Sequence, residues 1–254
     1  MTLKDVVFTA MFGDYETLNY VDVAKNSACE FICFTDNPNL KSETWQVVQT
    51  APRIPGDNIR SSRAIKMLGH QRFPRGTRSL YVDNSVKLIV DPTKILDDWL
   101  VNRPLAFMGH SSRETVRGEF FICSAYGLDD PNKIYEQYRY YRDTVPQVLG
   151  QRPFWGGMIA RESNESVDIF MEEWFAQYMR FSRRDQLAIN ATAAITGIEI
   201  CRIEGRNDLS WSHAWPLATN RKVESRDTVG NSIFRKPKII LNGLHYAPRY
   251  YLGR

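Results

Sequence analysis

Residues 79–91 have the sequence Ser-Leu-Tyr-Val-Asp-Asn-Ser-Val-Lys-Leu-Ile-Val-Asp, in which an acid directly follows an apolar run. The run Leu80–Val82 is typical of a buried strand in an α/β sheet. An acid at the end of such a strand is costly unless it is paired, hydrogen-bonded or bound to a metal. Ligands of open α/β sheets bind outside the carboxyl ends of the strands, so Asp83 is the first candidate for a functional residue. The alternative is an aspartate that only caps a turn.

Strand-like and helical patterns alternate along roughly the first 200 residues. Further strands are predicted at Asp5–Met11, Glu30–Thr35, Trp45–Thr50, Leu105–Met108 and Pro153–Ala160. Helices are predicted to begin at Ser61 or Ser62, at Asp91-Pro92 and at Asp130-Pro131, and to occupy Val167–Met179 and Gln186–Ile195. This order predicts one α/β domain over residues 1–254, with a mostly parallel central sheet flanked by helices.

The composition is that of an ordinary globular protein, with 254 residues, 43% hydrophobic and 24% charged. Its 33 basic and 29 acidic residues give a net charge of +4, which is too balanced for a dedicated nucleic-acid-binding protein. The sequence shows no signal peptide and no apolar run of about 18 residues. The expectation is a cytoplasmic protein without an integral membrane segment, unless the chain is an excised catalytic domain.

The common catalytic motifs are absent from the sequence. It contains no G-x-G-x-x-G, no P-loop lysine, no G-x-S-x-G elbow and no H-E-x-x-H. This removes the commonest dinucleotide-binding, NTPase, serine-hydrolase and zinc-protease functions. What remains is a set of polar groups near the ends of predicted elements: Asp83, His110 with Arg113 and Glu114, Gly156-Gly157, Asp185-Gln186 and His245.

A group of cations precedes the Leu80–Val82 strand. Arg60, Arg63 and Lys66 are spaced by three residues and therefore share one face of the predicted helix. Cations on one helix face are usually solvated surface. The alternative is a cationic wall that binds a diphosphate through charge-assisted hydrogen bonds.

Several stretches of the sequence, taken in their order, resemble a known family. They are Val7–Tyr15, Phe31–Asn37, Arg60–His70 with Phe73-Pro74, Leu80–Asp91 and Arg183–Leu187. They look like the glycosyltransferase-like domain of the plant turgor-regulation and seed-mucilage proteins, and the resemblance covers roughly residues 5–200. It implies a GT-A-like (Rossmann-like) fold, which is the fold of nucleotide-sugar-dependent glycosyltransferases. Residues 201–254 would form a C-terminal extension that closes the site.

The resemblance also implies a metal site. Asp83 would stand where GT-A enzymes have the first acid of an Asp-x-Asp motif, which holds Mn²⁺ or Mg²⁺ on the donor diphosphate. Ser85 stands in place of the second acid, so a hard divalent cation would be held less well unless His245 closes the site. Metal ligands are therefore expected at Asp83, Ser85 and His245. The alternative for His245 is a structural histidine beside a turn.

The remaining candidates are catalytic and donor-binding residues. The resemblance implies that Asp185 and Gln186 lie near the anomeric carbon and the sugar hydroxyls. Asp185 would act as a base for the acceptor, or as a charge that stabilises an oxocarbenium-like transition state. The alternative is that Asp185 is the acid of a capping box that begins with Ser182. Donor-binding residues are expected at Arg60, Arg63, Lys66, Asp83, Asn84, His110, Arg113, Gly156 and Gly157.

The implied function is that of a glycosyltransferase, which moves a sugar from a nucleotide-diphosphate sugar to a hydroxyl of a glycan or other acceptor with the help of a divalent cation. A hydrolase of a lipid amide is the first alternative, but it needs a zinc site, and the histidines form no local cluster. A non-catalytic nucleotide-sugar-binding module is the second alternative, and Ser85 favours it. The sequence leaves open the donor sugar, the nucleotide base, the acceptor, the stereochemical outcome and the oligomeric state.

Overall fold

The computed structural model describes residues 3–220 and 235–252, and a seven-stranded sheet lies at its centre. The strands of the described part are β1 Val6–Met11, β2 Glu30–Thr35, β3 Gln46–Gln49, β4 Arg78–Val82, β5 Lys87–Leu88, β6 Leu105–Gly109, β7 Phe154–Glu162, β8 Cys201–Ile203 and β9 His213–Ala214. The sheet order is β3-β2-β1-β4-β7-β6-β8, and β5 pairs with β9 separately. Only β7 runs antiparallel to its neighbours in this sheet. The predicted α/β class with a mostly parallel sheet is confirmed, and β4 is the central strand.

Helices flank this sheet. They are α1 Asn58–Leu68, α2 Pro92–Trp99, α3 Val116–Ala125, α4 Pro131–Thr144, α5 Glu165–Arg180, α6 Ile189–Thr196 and α7 Arg235–Tyr251. α3 and α7 lie outside the predicted elements. Among the helices of the described ranges, none has the length and apolarity needed to cross a membrane.

The central strand β4 is apolar because both of its faces are buried. Leu80 and Val82 belong to one apolar cluster, which also contains Leu96 and Trp99 of α2. Tyr81 points the other way, into the cluster formed with α1, α3 and α5. The apolar cover on both faces explains the continuous run in the sequence, and the first polar residue after it marks the edge of the sheet.

The structure confirms two predicted helix starts and corrects a third. Asp91 and Asp130 cap α2 and α4, and each is followed by a proline in the first turn. α1 begins instead after Asp57, whose carboxylate accepts a hydrogen bond from a first-turn N–H at 2.9 Å. Ser61 and Ser62 are buried inside that helix. An earlier acid therefore provides the cap, and α1 starts about one turn before the predicted position.

The strand β7 also holds the end of α1. Arg161 of β7 is fully buried, and its guanidinium donates to the carbonyl oxygens of Lys66 at 2.7 Å and of Met67 at 3.1 Å. The last carbonyls of a helix have no partner within the helix, and a positive charge is favoured at that end. The last turn of α1 is thus fixed to the sheet.

The C-terminal helix α7 packs against α3. The hydroxyl oxygens of Tyr250 and Ser124 lie 2.6 Å apart, and Tyr138 donates to the Tyr250 carbonyl at 3.0 Å. The predicted C-terminal extension, residues 201–254, lies partly outside the described residues, at 221–234 and 253–254.

Candidate active site

A cavity of about 620 Å³ opens at the carboxyl ends of β1 and β4. This is a usual size for a small-molecule site, about 300–1,000 Å³. β7 contributes its beginning to the cavity, because it runs antiparallel to β4. The ionisable side chains in its lining include Glu16, Arg63, Lys66, Asp83, His110, Arg113, Glu119, Arg184 and Asp185. Charged groups that are far apart in the sequence therefore meet at one edge of the sheet.

Asp83 follows β4 and lines the cavity, as predicted. Its N–H donates to the Gly157 carbonyl at 2.9 Å. Its Oδ1 atom accepts from the Tyr81 hydroxyl at 2.8 Å and lies 3.5 Å from Lys66 Nζ. The turn after the strand is closed by the Asp83 carbonyl, which accepts from the Val86 N–H at 2.8 Å. The carboxylate is therefore directed to the cavity and does not cap the turn.

Arg63 and Lys66 of α1 line the cavity, whereas Arg60 does not. Lys66 is 1% exposed, and its Nζ atom lies 2.7 Å from Asp185 Oδ2. Arg63 Nε lies 3.1 Å from the same oxygen. These two cations are not solvated surface. The structure corrects the predicted donor site at Arg60. This residue lies outside the cavity lining and pairs with Asp57 at 3.1 Å beside the start of the helix.

Asp185 belongs to this charged cluster and not to a capping box. It begins a short 3₁₀ helix, Asp185–Ala188, whose N-cap residue Arg184 makes no side-chain capping hydrogen bond, and its Oδ1 accepts from the Gln186 N–H at 2.9 Å. The Ser182 hydroxyl instead donates to Asp129 at 2.9 Å. The α-helix α6 starts only after the 3₁₀ turn, which corrects the predicted start at Gln186.

The charge state of Asp185 follows from its partners. Burial by itself favours the neutral acid, but the charges of Lys66, Arg63 and Arg184 outweigh it and hold the pKa of Asp185 well below its ordinary value of 3.8. The carboxylate is therefore ionised at neutral pH. Such a weakly basic group is poorly suited to take a proton from an acceptor.

Glu119 of α3 lines the cavity and was not predicted as a site residue. Its side chain is 5% exposed and pairs with Arg113 Nε at 2.8 Å. Its Oε1 accepts from Gln186 Nε2 at 3.3 Å, and Gln186 Oε1 accepts from the Gly156 N–H at 3.4 Å. Glu119 therefore orients the Gln186 amide. In the sequence, the signal for this residue is an acid directly before the apolar run Phe120–Cys123.

The glycine pair at the start of β7 makes room for two neighbouring side chains. A Cβ atom on Gly156 would lie 3.3 Å from Lys66 Nζ, and a Cβ atom on Gly157 would clash with the Trp155 ring. Both glycines line the cavity. The close approach that they permit within the protein is that of Lys66 and Trp155.

Asn84 and His110 also line the cavity, and each has polar groups that the protein itself uses. Asn84 accepts from the Asn19 N–H and donates to the Thr17 carbonyl, both at 2.8 Å, so it orders the segment after β1. His110 Nδ1 accepts from the Ser112 N–H at 3.1 Å, which places the ring proton on Nε2. Burial is the main cause of a lowered pKa at His110, so the ring is neutral at neutral pH.

Residues after 200 form part of the cavity wall. Trp215 Nε1 donates to Ser85 Oγ at 3.1 Å, and the Leu217 N–H donates to the Ser85 carbonyl at 2.7 Å. The Trp155 ring lies between Trp215, with centroids 5.7 Å apart, and His213, at 5.3 Å. This aromatic group is additional to the predicted site.

The predicted metal ligands do not fit a divalent cation. Asp83 and Ser85 line the cavity, but His245 does not: it is an exposed residue of α7, with its ring 4.8 Å from that of Tyr246. The Ser85 hydroxyl accepts from an indole N–H, and Lys66 faces the Asp83 carboxylate. Within residues 3–220 and 235–252, no group of three or more His, Cys, Asp or Glu side chains is placed to hold a metal ion. The structure therefore corrects the placement of His245.

Comparison with known proteins gives the family. Residues 1–200 match the family model described as "TOD1/MUCI70, glycosyltransferase-like domain". The chain belongs to the TOD1/MUCI70 family. The family indicated by the stretches from Val7–Tyr15 to Arg183–Leu187 is thereby confirmed.

A curated TOD1/MUCI70 relative from Arabidopsis thaliana, "Probable hexosyltransferase MUCI70", is 30% identical over 211 residues. The match covers 73% of this chain and 36% of that protein, so the chain spans little more than a third of its relative. Among solved structures, the apo form of mouse xyloside xylosyltransferase 1 aligns with a TM-score of 0.46 and 9% identity, over 80% of this chain and 85% of that chain. The apo structure of the bifunctional glycosyltransferase WbbM aligns with a TM-score of 0.44 and 14% identity, over 75% and 37% of the two chains.

Proposed function

We propose that this protein is a glycosyltransferase that moves a sugar from a nucleotide-diphosphate sugar to a hydroxyl acceptor. The observation that carries the proposal is the cluster of Arg63 and Lys66 with Asp83 and Asp185 in the cavity at the carboxyl edge of the sheet. This is the edge at which open α/β sheets bind ligands. Membership of a glycosyltransferase-like family and the hexosyltransferase relative support the same reaction.

The cations of the cavity suit the leaving group. A departing nucleoside diphosphate develops negative charge on its phosphate oxygens, and fixed cations stabilise that charge in the transition state. Arg63 and Lys66 would contact these oxygens through charge-assisted hydrogen bonds. The Nε2–H group of His110 would add a neutral donor.

Asp185 and Gln186 would act on the sugar. Positive charge develops at the anomeric carbon in an oxocarbenium-like transition state, and an ionised carboxylate beside it stabilises that charge. Asp185 stays ionised because its partners lower its pKa. The Gln186 amide, held between Glu119 and Gly156, would orient a sugar hydroxyl.

The two alternatives predict different chemistry. A lipid amide hydrolase needs an activated water, which is usually held on zinc by three protein ligands, and the described residues offer no such group. A binding module would make the same donor contacts without turnover. No specific observation favours either alternative over transfer.

Donor turnover tests the proposal. The full chain is incubated with a panel of nucleotide sugars, and released nucleoside diphosphate is measured. A transferase slowly hydrolyses its donor when no acceptor is present. Asp185→Asn is expected to lower that rate on the order of 10²-fold, as the loss of a charge-stabilising group typically does. Asp143→Asn, an exposed aspartate of α4, is the matched control. Donor binding without any release would support the binding module.

A further inference from the structure

Lys66 lies where two acids of the cavity converge. Its Nζ atom is 2.7 Å from Asp185 Oδ2 and 3.5 Å from Asp83 Oδ1, and its side chain is 1% exposed. The ammonium also lies 5.4 Å from the centroid of the Tyr81 ring. A side chain on Gly156 would begin only 3.3 Å from it, so the glycine leaves the space that it occupies. The position of the ammonium is therefore defined on several sides.

The backbone of Lys66 is fixed as well. Its carbonyl accepts from the buried Arg161 of β7 at 2.7 Å. Ordering a long lysine side chain costs conformational entropy, and folding has already met that cost before a ligand arrives. A preorganised cation of this kind is what a site for a negatively charged group requires.

A divalent cation and this ammonium would compete for the same oxygens. Mg²⁺ binds carboxylate oxygens at about 2.0–2.1 Å and demands near-octahedral geometry. Asp83 Oδ1 already accepts from the Tyr81 hydroxyl and faces Lys66. A metal on this carboxylate would also stand close to the positive charge of Lys66, and like charges repel strongly away from bulk water.

The acids around Lys66 already have cationic partners. Asp83 and Asp185 face Lys66, and Asp185 also pairs with Arg63. Glu119 pairs with Arg113 at 2.8 Å. Each of these three carboxylates therefore already has a cation within 3.5 Å, which makes it a poorer ligand for a divalent cation.

We propose that the Lys66 ammonium is the fixed cation for the donor diphosphate and that donor binding needs no divalent metal. The inference rests on the proposed function, because it concerns the same donor site. An ammonium has three N–H groups. Ion pairs with Asp185 and Asp83 engage part of this donor capacity, and the remainder serves a phosphate oxygen beside Arg63.

Calorimetric titration of the full wild-type chain tests the inference. UDP, GDP, ADP and CDP are each titrated with excess EDTA and again with Mn²⁺. We expect at least one of them to bind, with an affinity that differs less than about threefold between the two conditions, or well under one tenfold step in Kd. A larger gain with Mn²⁺ would overturn the inference and leave the proposed function standing. Absence of binding in both conditions would refute the proposed function and the inference with it.

A variant at Lys66 tests the role of the ammonium itself. In EDTA, Lys66→Met is expected to weaken nucleotide binding about 10-fold to 100-fold, the range for a lost charge-assisted hydrogen bond. Lys133→Met, an exposed lysine of α4, is the matched control. Melting temperatures show whether each variant is folded. Undiminished affinity in folded Lys66→Met would overturn the inference.

Metal binding can also be measured without changing Lys66. The electron paramagnetic resonance signal of free Mn²⁺ is followed as wild-type protein and Asp83→Asn are added. We expect the same free Mn²⁺ with both proteins. Mn²⁺ binding to the wild type that is lost in Asp83→Asn would place a metal at this carboxylate and overturn the inference.

Discussion

At the level of the residue, Asp185 holds two cations, so its removal affects the fold as well as the reaction. Asp185→Asn leaves the buried Lys66 with its more distant partner, Asp83 at 3.5 Å. Removing one partner of a buried ion pair costs about 3–5 kcal/mol, whereas losing a helix cap costs about 0.5–2 kcal/mol.

We expect Asp185→Asn to lower the free energy of unfolding by about 3 kcal/mol or more in urea denaturation. The exposed Asp143→Asn should leave it almost unchanged. A loss for Asp185→Asn no larger than that of a cap would show that the ion pair contributes little.

Asp185 also gives the protein a defined acid sensitivity. Its pKa in the folded state is below the ordinary value of 3.8, so its ionised form stabilises the fold above that pH. This contribution is lost as the pH falls from about 3.8 toward the lower pKa of the folded state. We therefore expect the difference in melting temperature between wild type and Asp185→Asn to shrink as the pH is lowered from about 5 to about 3. A constant difference would mean that the pKa of Asp185 is the same in the folded and unfolded states.

Glu119 is expected to be a positioning residue. Glu119→Gln keeps the size of the side chain but removes the charge that pairs with Arg113 and weakens the acceptor for Gln186. We expect kcat for donor turnover to fall about tenfold, with a smaller change in KM, because the Gln186 amide is needed most in the transition state. Glu136→Gln, an exposed residue of α4, is the control. A lower melting temperature with an unchanged kcat would indicate a purely structural role.

At the level of elements, β7 and α1 together place the cations. Arg161→Lys replaces a guanidinium that reaches two carbonyl oxygens with a single ammonium. We expect faster amide hydrogen exchange in the last turn of α1, measured by mass spectrometry on peptides that cover residues 63–70. Nucleotide affinity should fall about tenfold, because Lys66 is then less well positioned. The exposed Arg139→Lys is the control, and unchanged exchange in Arg161→Lys would contradict the prediction.

The helix starts show which elements local sequence can predict. Asp91 and Asp130 were recognisable as caps because a proline follows each of them, and proline suits the first helical turn. Ser182 has the residues of a capping box, yet its hydroxyl bonds to Asp129, 53 residues earlier in the chain. A local pattern is reliable when its partner is also local. It fails when a distant residue supplies a better one.

At the level of the whole molecule, the residues of the site also divide into those found from local sequence patterns and those brought there by distant segments of the chain. Asp83 and Lys66 were found from strand-end and helix-spacing rules, which need only the neighbouring residues. Glu119 and Trp215 reach the cavity only because α3 and the segment after β8 fold over that edge of the sheet. His245 lies outside the cavity for a related reason, because α7 packs against α3 and leaves the histidine exposed. The fold class followed from the alternation of patterns, while the packing of these late segments did not.

The burial of Lys66 has a consequence for the chemical reactivity of the protein. Its side chain is 1% exposed, whereas those of Lys4, Lys87 and Lys133 are 69%, 49% and 53% exposed. An amine-acylating reagent must reach the nitrogen, so in the native protein it should modify these surface lysines and spare Lys66. The appearance of an acyl group on Lys66 would then report that the lysine has left its ion pairs with Asp185 and Asp83. The ammonium on which we expect donor binding to depend is thus the one that such a reagent reaches last among these lysines.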